Sequence, residues 1–464
     1  MKQAHFIGIK GVGMTALALI FKEKGWQVTG SDVSQSFITD QAIRQAGIKV
    51  FSGFSERNLQ KGLDLVVYSG AYRPDSNPEL KFALKLNLKT VTQQQALAKV
   101  LTRKQLVAVA GVGGKTTTSA LLAHLFRSLG RDVGYFIGAG QFNGLSKPGS
   151  WGKDSLFVAE ADEYANNIGV DNTPKLLLLQ PRDVILPNLQ YDHPDIYSSP
   201  KDTLTVFRQF LSKIPPQGKL YYNADSDFIE QLISSITFLP NLVSVGFSRN
   251  CDWFIKPISY QGEYTKIQIF HESKKLELKL LIFGSYNVRN AVLAGALAYN
   301  QGLSWDQIAQ ALSTFKGVGR RQEFKGKRNQ AFFYDDYAHH PAEIKATLTA
   351  FKQRFPHRRL WVFFESHTYT RTKTLLPEFI KALSLADKVS IMPIFSSARE
   401  KSSDFSLTNQ DLAQQLVSLG KDAQALDFSE APSYLNRHLQ KNDLILTMGA
   451  GLVYQLHSQF LGKI

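Results

Sequence analysis

The sequence predicts an α/β protein in which parallel sheets are covered by helices. Three stretches of the chain each open with an apolar strand that runs into a polar or glycine-rich loop. In the first two stretches a helical pattern follows the loop, and further apolar strands come after the helix. Such alternation of strand and helix implies parallel sheets with helices on both faces.

The first stretch opens with AHFIGI at 4–9, passes through KGVGM into the helical TALALIFKEKG, and adds strands at 27–32 and 64–71. Its loop, GIKGVG, reads G-x-x-G-x-G, whereas the nicotinamide dinucleotide fingerprint is G-x-G-x-x-G. A nicotinamide cofactor with Asp32 on its ribose is therefore a weaker prediction than a phosphate-bearing ligand at the helix N-terminus. A tight turn that lets helix and strand pack closely is the alternative.

The second stretch opens with LVAVA at 106–110, followed by GVGGKT and a helix that we expect to end near Leu129. The loop is too short for the common G-x-x-x-x-G-K-[ST] pattern, because Val109 stands where the first glycine is needed. Its backbone N–H groups, the helix N-terminus and Lys115 nevertheless predict phosphate binding. The hydroxyl of Thr116 lies where such loops bind Mg²⁺. The alternative is an ordinary glycine-rich turn with an incidental lysine.

Two further polar groups follow strands of the second stretch. Glu160 lies in EADE at the end of a strand at 156–162, and His193 lies in a DH pair after a strand at 183–188. Hard cations prefer oxygen ligands and a histidine can complete the shell, so each residue is a candidate metal ligand. Taken singly, each is equally compatible with a cap or a salt bridge. A more β-rich part with TKIQIF and LELKLLIF follows.

The third stretch begins near Gly317 and carries DDYAHHP at 335–341. Apolar strands are predicted at 359–366, 388–395 and 443–451, and polar residues stand at their carboxyl ends. Open α/β sheets bind ligands at these ends of their strands. We therefore expect a third ligand-binding edge here.

Composition fits a soluble globular protein of two to four domains, because 44% of its 464 residues are hydrophobic and 20% are charged. The single cysteine, Cys251, excludes an internal disulfide framework and favours a reducing compartment. The opening apolar run is too short for a signal peptide, and no run reaches the roughly 18 apolar residues of a membrane span. We expect a cytoplasmic protein with no membrane partner.

The net charge of +15 raises the question of a nucleic-acid partner. The lysines and arginines are scattered, however, and the densest cluster, KGKR at 325–328, is small. We therefore expect no nucleic-acid partner. The charge is better suited to the capture of small anionic substrates.

Several motifs occur in order along essentially the whole chain. They are G-x-x-G-K-T-T-T at 111–118, EADE at 160–163, N-x-x-x-D-H-x-D at 188–195, GSYNVRN at 284–290, GRR at 319–321, DDYAHHP at 335–341 and FESHTYTR at 364–371. In this order they resemble the Mur ligases of peptidoglycan synthesis. The DDYAHHP and HTYTR stretches are similar to the form found in the member that adds L-alanine to UDP-N-acetylmuramate.

The resemblance implies three α/β domains. They are a Rossmann-like domain at 1–103 that binds a UDP-sugar, a P-loop ATPase-like domain with a mixed sheet at 104–317 that binds ATP, and a Rossmann-like domain at 318–464 that binds an amino acid. It also implies an ATP-dependent amide ligase. ATP phosphorylates the substrate carboxylate to an acyl phosphate, and the amine then displaces phosphate, with Mg²⁺ neutralising the reacting anions.

The resemblance assigns catalytic roles to four residues, Lys115, Glu160, His193 and Arg321. Lys115 would contact the β- and γ-phosphates, Thr116 and Glu160 would hold one Mg²⁺, and His193 would hold a second. The wider set expected to bind ATP is Gly111, Val112, Gly113, Gly114, Lys115, Thr116, Thr117, Asn287, Asn290, Arg321 and Asp336.

The UDP-sugar and the amino acid have their own expected residues. Those for the UDP-sugar are Gly11, Val12, Gly13 and Met14 at the pyrophosphate and Asp32, Ser69 and Gly70 near the uridine. His339, His367 and Arg371 complete the substrate site. Because His367 and Arg371 are four residues apart, we expect them to share one face of a helical turn, where two cationic donors suit a carboxylate.

The sequence departs from the family motifs at four positions. Val112 and Gly113 replace a threonine and its neighbour in the phosphate loop, Tyr286 replaces the histidine of G-x-H-N, and Ser366 replaces the proline before H-x-Y-T-R. The losses affect the expected affinity for ATP and the choice among alanine, glycine and serine. They leave the reaction class unchanged.

Three alternatives stay open at the level of the sequence. A related ligase would add another amino acid or use a recycled muramyl substrate. A nicotinamide-dependent oxidoreductase would rest on the first loop alone and leaves Lys115, Glu160 and His193 unexplained. A nucleotide-binding protein with weakened catalysis would rest on the altered phosphate loop.

Overall fold

The computed structural model describes residues 1–140, 144–236, 241–396, 400 and 402–462. The chain divides into two compact units, each assembled from separate stretches. The larger unit comprises Met1–Tyr191, Ile196–Leu281 and Val288–Lys316, and the smaller unit comprises Asp192–Asp195, Ile282–Asn287 and Gly317–Ile464. Along the described ranges, no helix has the length and apolar character needed to cross a membrane.

The first sheet of the larger unit has the order β3-β2-β1-β4-β5 and is parallel throughout. Its elements are β1 (Gln3–Ile7), α1 (Val12–Glu23), β2 (Gln27–Asp32), α2 (Asp40–Gln45), β3 (Lys49–Ser52), β4 (Leu65–Tyr68), α3 (Pro78–Lys85), β5 (Thr90–Thr92) and α4 (Gln93–Val100). This strand order matches the first five strands of the nucleotide-binding Rossmann order 3-2-1-4-5-6. The strands predicted at 4–9, 27–32 and 64–71 are confirmed, with the first ending at Ile7.

The second sheet of the larger unit is mixed. Its described strands and the helices around it are β6 (Gln105–Ala110), α5 (Lys115–Ser128), β7 (Gly134–Phe136), β8 (Gly149–Ser150), β9 (Leu156–Ala161), β12 (Asp183–Leu186), α6 (Pro200–Leu211), β13 (Lys219–Asn223), α7 (Asp227–Ser234), β14 (Asn241–Gly246), β15 (Trp253–Ile255), β16 (Ser259–Gln261), β17 (Tyr264–His271), β18 (Lys274–Leu280), α8 (Ser285–Asn300) and α9 (Trp305–Ser313). Two short strands, β10 (Ala165–Asn167) and β11 (Asp171–Pro174), pair separately. The parallel part runs β15-β14-β13-β12-β6-β9-β7, so β6 lies between two paired neighbours.

The smaller unit contains one sheet, β19-β20-β24-β21-β22-β23, in which only the pairing of β19 is antiparallel within the described part of the chain. Its elements are β19 (Glu323–Arg328), β20 (Ala331–Asp336), α10 (Pro341–Arg354), β21 (Leu360–Glu365), α11 (Tyr369–Thr374), α12 (Leu376–Leu383), β22 (Lys388–Ile391), α13 (Asn409–Ser418), β23 (Asp422–Ala425), α14 (Ala431–His438), β24 (Leu444–Gly449) and α15 (Leu456–Phe460). Every residue of β21 and β24 is buried. Their mostly apolar sequences, LWVFFE and LILTMG, reflect this burial on both faces.

Helix α1 is buried on more than one side. The eight consecutive residues 14–21 are all buried, whereas a helix on a protein surface buries a single stripe. Phe21 packs edge-on against Phe6 of β1 with ring centroids 5.5 Å apart. The helix therefore belongs to the core of the first sheet, and its other side contacts the second.

The second contact of α1 is with β8. A Cβ on Gly149 would lie 2.3 Å from the backbone oxygen of Ala16, so only a glycine allows this approach. At the end of α1, Glu23 accepts hydrogen bonds from the Ser150 hydroxyl at 3.0 Å and the Trp151 backbone N–H at 2.7 Å. Packing and hydrogen bonding thus join the two sheets of the larger unit through one helix.

Gly149→Ala tests this joint. The added methyl group meets backbone atoms, which cannot rotate away, so we expect a loss of about 1–3 kcal/mol in the free energy of unfolding. Thermal unfolding of the purified protein measures it, with Lys153→Ala at an exposed position of the same segment as the control. An unfolding temperature equal to that of the control would contradict the tight packing of α1 on β8.

Candidate active site

The loop between β6 and α5 is shaped by three left-handed glycines and by its neighbours. Gly111, Gly113 and Gly114 have φ angles of +127°, +84° and +83°. The backbone N–H of Val112 donates to the Asn188 carbonyl at 3.0 Å, and the Asn188 amide donates to the Val112 carbonyl at 2.9 Å. The loop is therefore fixed against the segment that follows β12.

The same loop is closely packed on both sides. A Cβ on Gly111 would meet the Asn188 carbonyl oxygen at 2.1 Å, and one on Gly114 would meet the side-chain amide of Asn290 at 3.2 Å. Thr116 and Thr117, in the first turn of α5, are 8% and 7% exposed. This arrangement leaves a glycine-rich backbone at the N-terminus of α5, where an anion is favoured.

Lys115 is held next to a carboxylate. Its Nζ donates to Glu163 at 2.6 Å and to the Gly111 carbonyl at 2.7 Å. Burial by itself would lower the pKa of Lys115, but the carboxylates of Glu163, Asp162 and Glu160 raise it to about 12. Lys115 is therefore fully charged at every physiological pH.

The acids at the end of β9 and directly after it have separate partners. One oxygen of Glu160 accepts the backbone N–H of Gly138 at 2.7 Å, and Asp162 accepts Lys175 at 2.8 Å. Within the described ranges, no cluster of three or more His, Cys, Asp or Glu residues has the geometry to hold a metal ion by itself. Hard oxygen donors are nevertheless present in Glu160 and Thr116, and Mg²⁺ commonly takes one or two protein oxygens together with substrate phosphates.

In the first sheet, Asp32 stabilises the backbone of the glycine loop through hydrogen bonds. Its two carboxylate oxygens accept the backbone N–H groups of Lys10 at 2.7 Å and Val33 at 2.8 Å. Asp32 is 4% exposed, and this burial raises its pKa. Helix α1 begins directly after Gly11 without a side-chain cap.

The other residues expected at the UDP-sugar lie around this loop. Met14 is buried in α1, and a Cβ on Gly13 would lie 2.9 Å from the Gln93 amide. Ser69 and Gly70 follow β4, and a Cβ on Gly70 would lie 2.2 Å from the carbonyl oxygen of Asn166. Gln93 and Asn166 were not predicted from the sequence to lie at this loop.

In the smaller unit, Asp336 ends β20 and is 3% exposed. Its oxygens accept the backbone N–H groups of Gln322 and Ala338, each at 2.8 Å. Burial raises the pKa of Asp336 to about 6, against the opposing charge of Arg321. The guanidinium of Arg321 lies 4.8 Å from the centre of the Tyr337 ring.

Asn287 and Tyr286 converge on one side chain, that of Gln322. The Asn287 amide donates to the Gln322 oxygen at 2.9 Å, and the Gln322 amide donates to the Tyr286 hydroxyl at 2.7 Å. Burial raises the pKa of Tyr286 well above its usual value. The tyrosine that replaces the family histidine is thus held in a polar network of the smaller unit.

Arg371 contacts Asp192 and His193. Its Nε donates to Oδ1 of Asp192 at 3.1 Å, and its Nη2 lies 3.0 Å from the same oxygen and 3.3 Å from Nδ1 of His193. Burial by itself would raise the pKa of Asp192, but His193 and Arg371 hold it well below its usual range. His193, the expected metal ligand, therefore contacts Arg371, which is expected to bind the carboxylate of the amino acid. Arg371 is also ion-paired with Asp192.

The expectation that His367 and Arg371 share a helical face is wrong. Helix α11 begins at Tyr369, and its cap, Thr368, has a left-handed φ of +68°. The chain therefore turns before the helix, and His367 stacks on Phe395 with ring centroids 5.4 Å apart. Residues four positions apart share a helical face only when both lie in the helix, and His367 lies before it.

The histidines of DDYAHHP have distinct surroundings. The ring of His339 lies 6.1 Å from that of His367, and its Nδ1 lies 3.4 Å from Glu343. Burial lowers the pKa of His339 to about 3, so its imidazole is neutral at physiological pH. His340 instead caps α10 by accepting the backbone N–H of Ala342.

Glu365 and Arg320 hold the turn that follows β24. Glu365 ends β21, is 2% exposed and accepts the Val453 backbone N–H at 2.7 Å. Arg320 donates to the carbonyl oxygens of Gly449 at 2.6 Å and Gly451 at 3.2 Å. Burial raises the pKa of Glu365 from 4.5 to about 7. Neither residue's role was foreseen from the sequence.

Comparison with known proteins identifies the family to which this chain belongs. Profiles of the "Mur ligase family, catalytic domain", the "Mur ligase middle domain" and the "Mur ligase, glutamate ligase domain" match residues 3–105, 109–298 and 320–451. The UDP-N-acetylmuramate–L-alanine ligase of Acetivibrio thermocellus is 35% identical over 99% of this chain and 96% of its own. The chain belongs to the Mur ligase family.

Solved structures of Mur ligases show the same fold. The UDP-N-acetylmuramate–alanine ligase of Thermotoga maritima is 26% identical and covers 100% of this chain and 99% of its own, with a TM-score of 0.82. The UDP-N-acetylmuramate:L-alanyl-γ-D-glutamyl-meso-diaminopimelate ligase of Neisseria meningitides is also 26% identical, with a TM-score of 0.63 over 69% of this chain and 100% of its own. The predicted three-domain α/β fold is confirmed, and the boundaries at 103 and 317 stay a prediction.

Several predicted site residues of this Mur ligase lie together within a unit. In the larger unit the phosphate loop, Lys115 and the acids at 160–163 share one sheet edge. In the smaller unit His193 contacts Arg371, and His339 lies near His367. Glu163 and Asp192 had no predicted role, although the EADE and DH motifs that contain them were the sequence signals for both.

Glu365→Gln tests the cost of the buried carboxyl. Because the folded-state pKa of Glu365 is raised to about 7, the protein loses stability as pH rises from 4.5 through 7 and the carboxyl ionises. A neutral amide avoids this loss, which is on the order of 3 kcal/mol. We expect the variant to unfold at a higher temperature than the wild type at pH 8 and at nearly the same temperature at pH 5. A difference that does not change with pH would contradict the assignment.

Proposed function

We propose that this protein is an ATP-dependent amide ligase that joins L-alanine to the carboxylate of UDP-N-acetylmuramate. The observation that carries the proposal is the charged Lys115, held beside Glu163 in a glycine-rich loop at the N-terminus of α5. Phosphoryl transfer between two anions needs such a cation and backbone donors rather than a protein nucleophile. The full-length relatives named for this reaction support the choice of substrates.

In this proposal Lys115 contacts the β- and γ-phosphates of ATP and orients the γ-phosphate toward the sugar carboxylate. The glycine backbone at 111–114, together with Asn290 beside it, contacts the nucleotide. Arg321 and Asp336, which belong to the smaller unit, are also proposed to bind ATP. The carboxylate attacks the γ-phosphorus, ADP leaves, and the amine of L-alanine then displaces phosphate from the acyl phosphate.

The donor chemistry fits Mg²⁺ at the phosphate loop. Thr116 and Glu160 would hold one ion, and His193 would take part in holding a second. The ion supplies positive charge that offsets the repulsion between the phosphates and the attacking carboxylate. Glu160 keeps a fixed orientation for this task because it accepts the backbone N–H of Gly138.

The UDP-sugar and the amino acid are proposed to bind at two other sheet edges. Gly11 to Met14 would bind the pyrophosphate at the uncapped N-terminus of α1, with Ser69 and Gly70 near the uridine. The backbone-bonded carboxylate of Asp32 supports that loop. Arg371, with His339 and His367 nearby in the smaller unit, would receive the carboxylate of the amino acid.

A second candidate is a ligase that attaches a peptide instead of a single amino acid. The likeness to the tripeptide ligase of Neisseria meningitides favours it specifically. The full-length curated relatives, at 33–36% identity, are named for L-alanine instead. The two candidates share every step except the identity of the amine.

Amine-dependent phosphate release separates these candidates. Protein, Mg²⁺, ATP and UDP-N-acetylmuramate are mixed with L-alanine, glycine, L-serine or the tripeptide L-alanyl-γ-D-glutamyl-meso-diaminopimelate. We expect the highest kcat/KM with L-alanine and no turnover without Mg²⁺. Release with the tripeptide alone would establish the second candidate. ATP binding without release with any amine would indicate a nucleotide-binding protein whose altered loop has lost catalysis.

Lys115→Met tests the phosphate contact. Loss of the positive charge removes transition-state stabilisation, so we expect kcat to fall at least about 1,000-fold. Lys175→Met is the matched control, because Lys175 pairs with the adjacent acid Asp162 at 2.8 Å without touching the loop. The control should keep kcat within about threefold of the wild type. Equal losses in both variants would contradict a special role for Lys115.

A further inference from the structure

The pair formed by Asp192 and Arg371 lies almost entirely out of contact with water. Asp192 is 4% exposed and Arg371 is 6% exposed. Both residues belong to the smaller unit, although they are 179 positions apart in sequence. A buried ion pair needs good geometry and further hydrogen bonds to offset the loss of hydration.

The geometry of the pair uses one edge of the guanidinium. Nε and Nη2 of Arg371 both point to Oδ1 of Asp192, at 3.1 Å and 3.0 Å, and Nη2 is also 3.3 Å from Nδ1 of His193. The same Oδ1 accepts the backbone N–H of His193 at 2.7 Å. Among the residues that the structure describes, none forms a hydrogen bond with Nη1.

Backbone conformation on both sides of the pair is unusual. His193, next to Asp192, has φ of +59°, and Thr368, three residues before Arg371, has φ of +68°. Both are non-glycine residues in the left-handed region, and Thr368 is also β-branched. Such conformations persist where the surrounding structure holds them in place. The ion pair joins these two strained turns.

We infer that Asp192 is a positioning residue, which fixes the Nε–Nη2 edge of Arg371 so that Nη1 is presented to the carboxylate of the incoming amino acid. This inference rests on the proposed function, in which Arg371 receives that carboxylate. The rotamer entropy of a free arginine is lost before the substrate binds, so binding costs less. Asp192 itself does not touch the substrate.

The charge of the pair makes the inference testable. If Asp192 only weakened the local positive field, its neutralisation would strengthen the attraction of Arg371 for an anionic carboxylate and lower the KM for L-alanine. If Asp192 positions Arg371, truncation to alanine removes the acceptor Oδ1, releases the guanidinium and raises that KM. The two roles therefore predict changes of opposite sign.

Asp192→Ala is the variant to measure, with steady-state phosphate release at varied L-alanine, ATP and UDP-N-acetylmuramate. We expect the KM for L-alanine to rise at least about tenfold, with kcat within about threefold and the KM for the UDP-sugar unchanged. Asp192→Glu, which keeps the carboxylate one methylene further out, should show a smaller rise. It also serves if the alanine variant does not fold.

Asp443→Ala is the matched control. Asp443 is 1% exposed and pairs at 2.8 Å with Arg359, whose side chain is 30% exposed, so this variant also takes a buried carboxylate away from an arginine of the same unit. We expect it to lower the unfolding temperature without changing the KM for L-alanine. An equal rise in KM in this control, or an unchanged or lowered KM in Asp192→Ala, would overturn the inference.

Failure of the proposed function can be distinguished from failure of the inference about Asp192. If the wild-type protein releases no phosphate with L-alanine but does so with the tripeptide, the same KM comparison is made with the tripeptide, and Asp192 is tested on that amine. If Arg371→Lys leaves the KM for the amine unchanged, the assignment of Arg371 is wrong, and the positioning role of Asp192 is overturned with it.

Discussion

The parallel pairing of β6 with β9 is the constraint on which the candidate site depends. Val109 lies opposite Glu160 and Ala110 opposite Ala161 in this ladder, so the phosphate loop and the acids leave the sheet at neighbouring positions. A slip of one residue would move Glu160 to the other face. The pairing of β12 on the other side of β6 places Asn188 against the loop. The position of Lys115 therefore follows from strand register.

Electrostatics around the loop then favour a divalent cation. Lys115 brings one positive charge and Glu160 and Glu163 bring two negative ones, while Asp162 and Lys175 pair with each other. A polyphosphate that approached this group alone would meet acids that its own charge repels. A cation that binds the phosphates and a carboxylate oxygen removes the conflict. The same acids that fix Lys115 thus give a reason for the metal requirement in the proposed reaction.

Local patterns predicted much of the fold, and pairings between distant residues were not predictable. The strands, the phosphate loop and α5 follow from apolar runs, glycines and a lysine that are close in sequence. The ion pair of Arg371 with Asp192 depends on how remote segments pack. The turn at Thr368 depends on one left-handed residue, which no spacing rule reveals. Glu365 reads as the polar end of a strand, and only its burial shows that it carries a raised pKa.

Helix α1 limits the modularity of this chain. Because α1 packs on its own sheet and also on β8, residues 1–103 bury part of their apolar surface against residues beyond that range. A fragment cut at the predicted boundary would expose the side of α1 around Ala16 to water and leave Glu23 without its partners. The Rossmann-like sheet at the start of the chain is thus continuous in sequence, whereas the part of the chain that folds together includes both sheets of the larger unit.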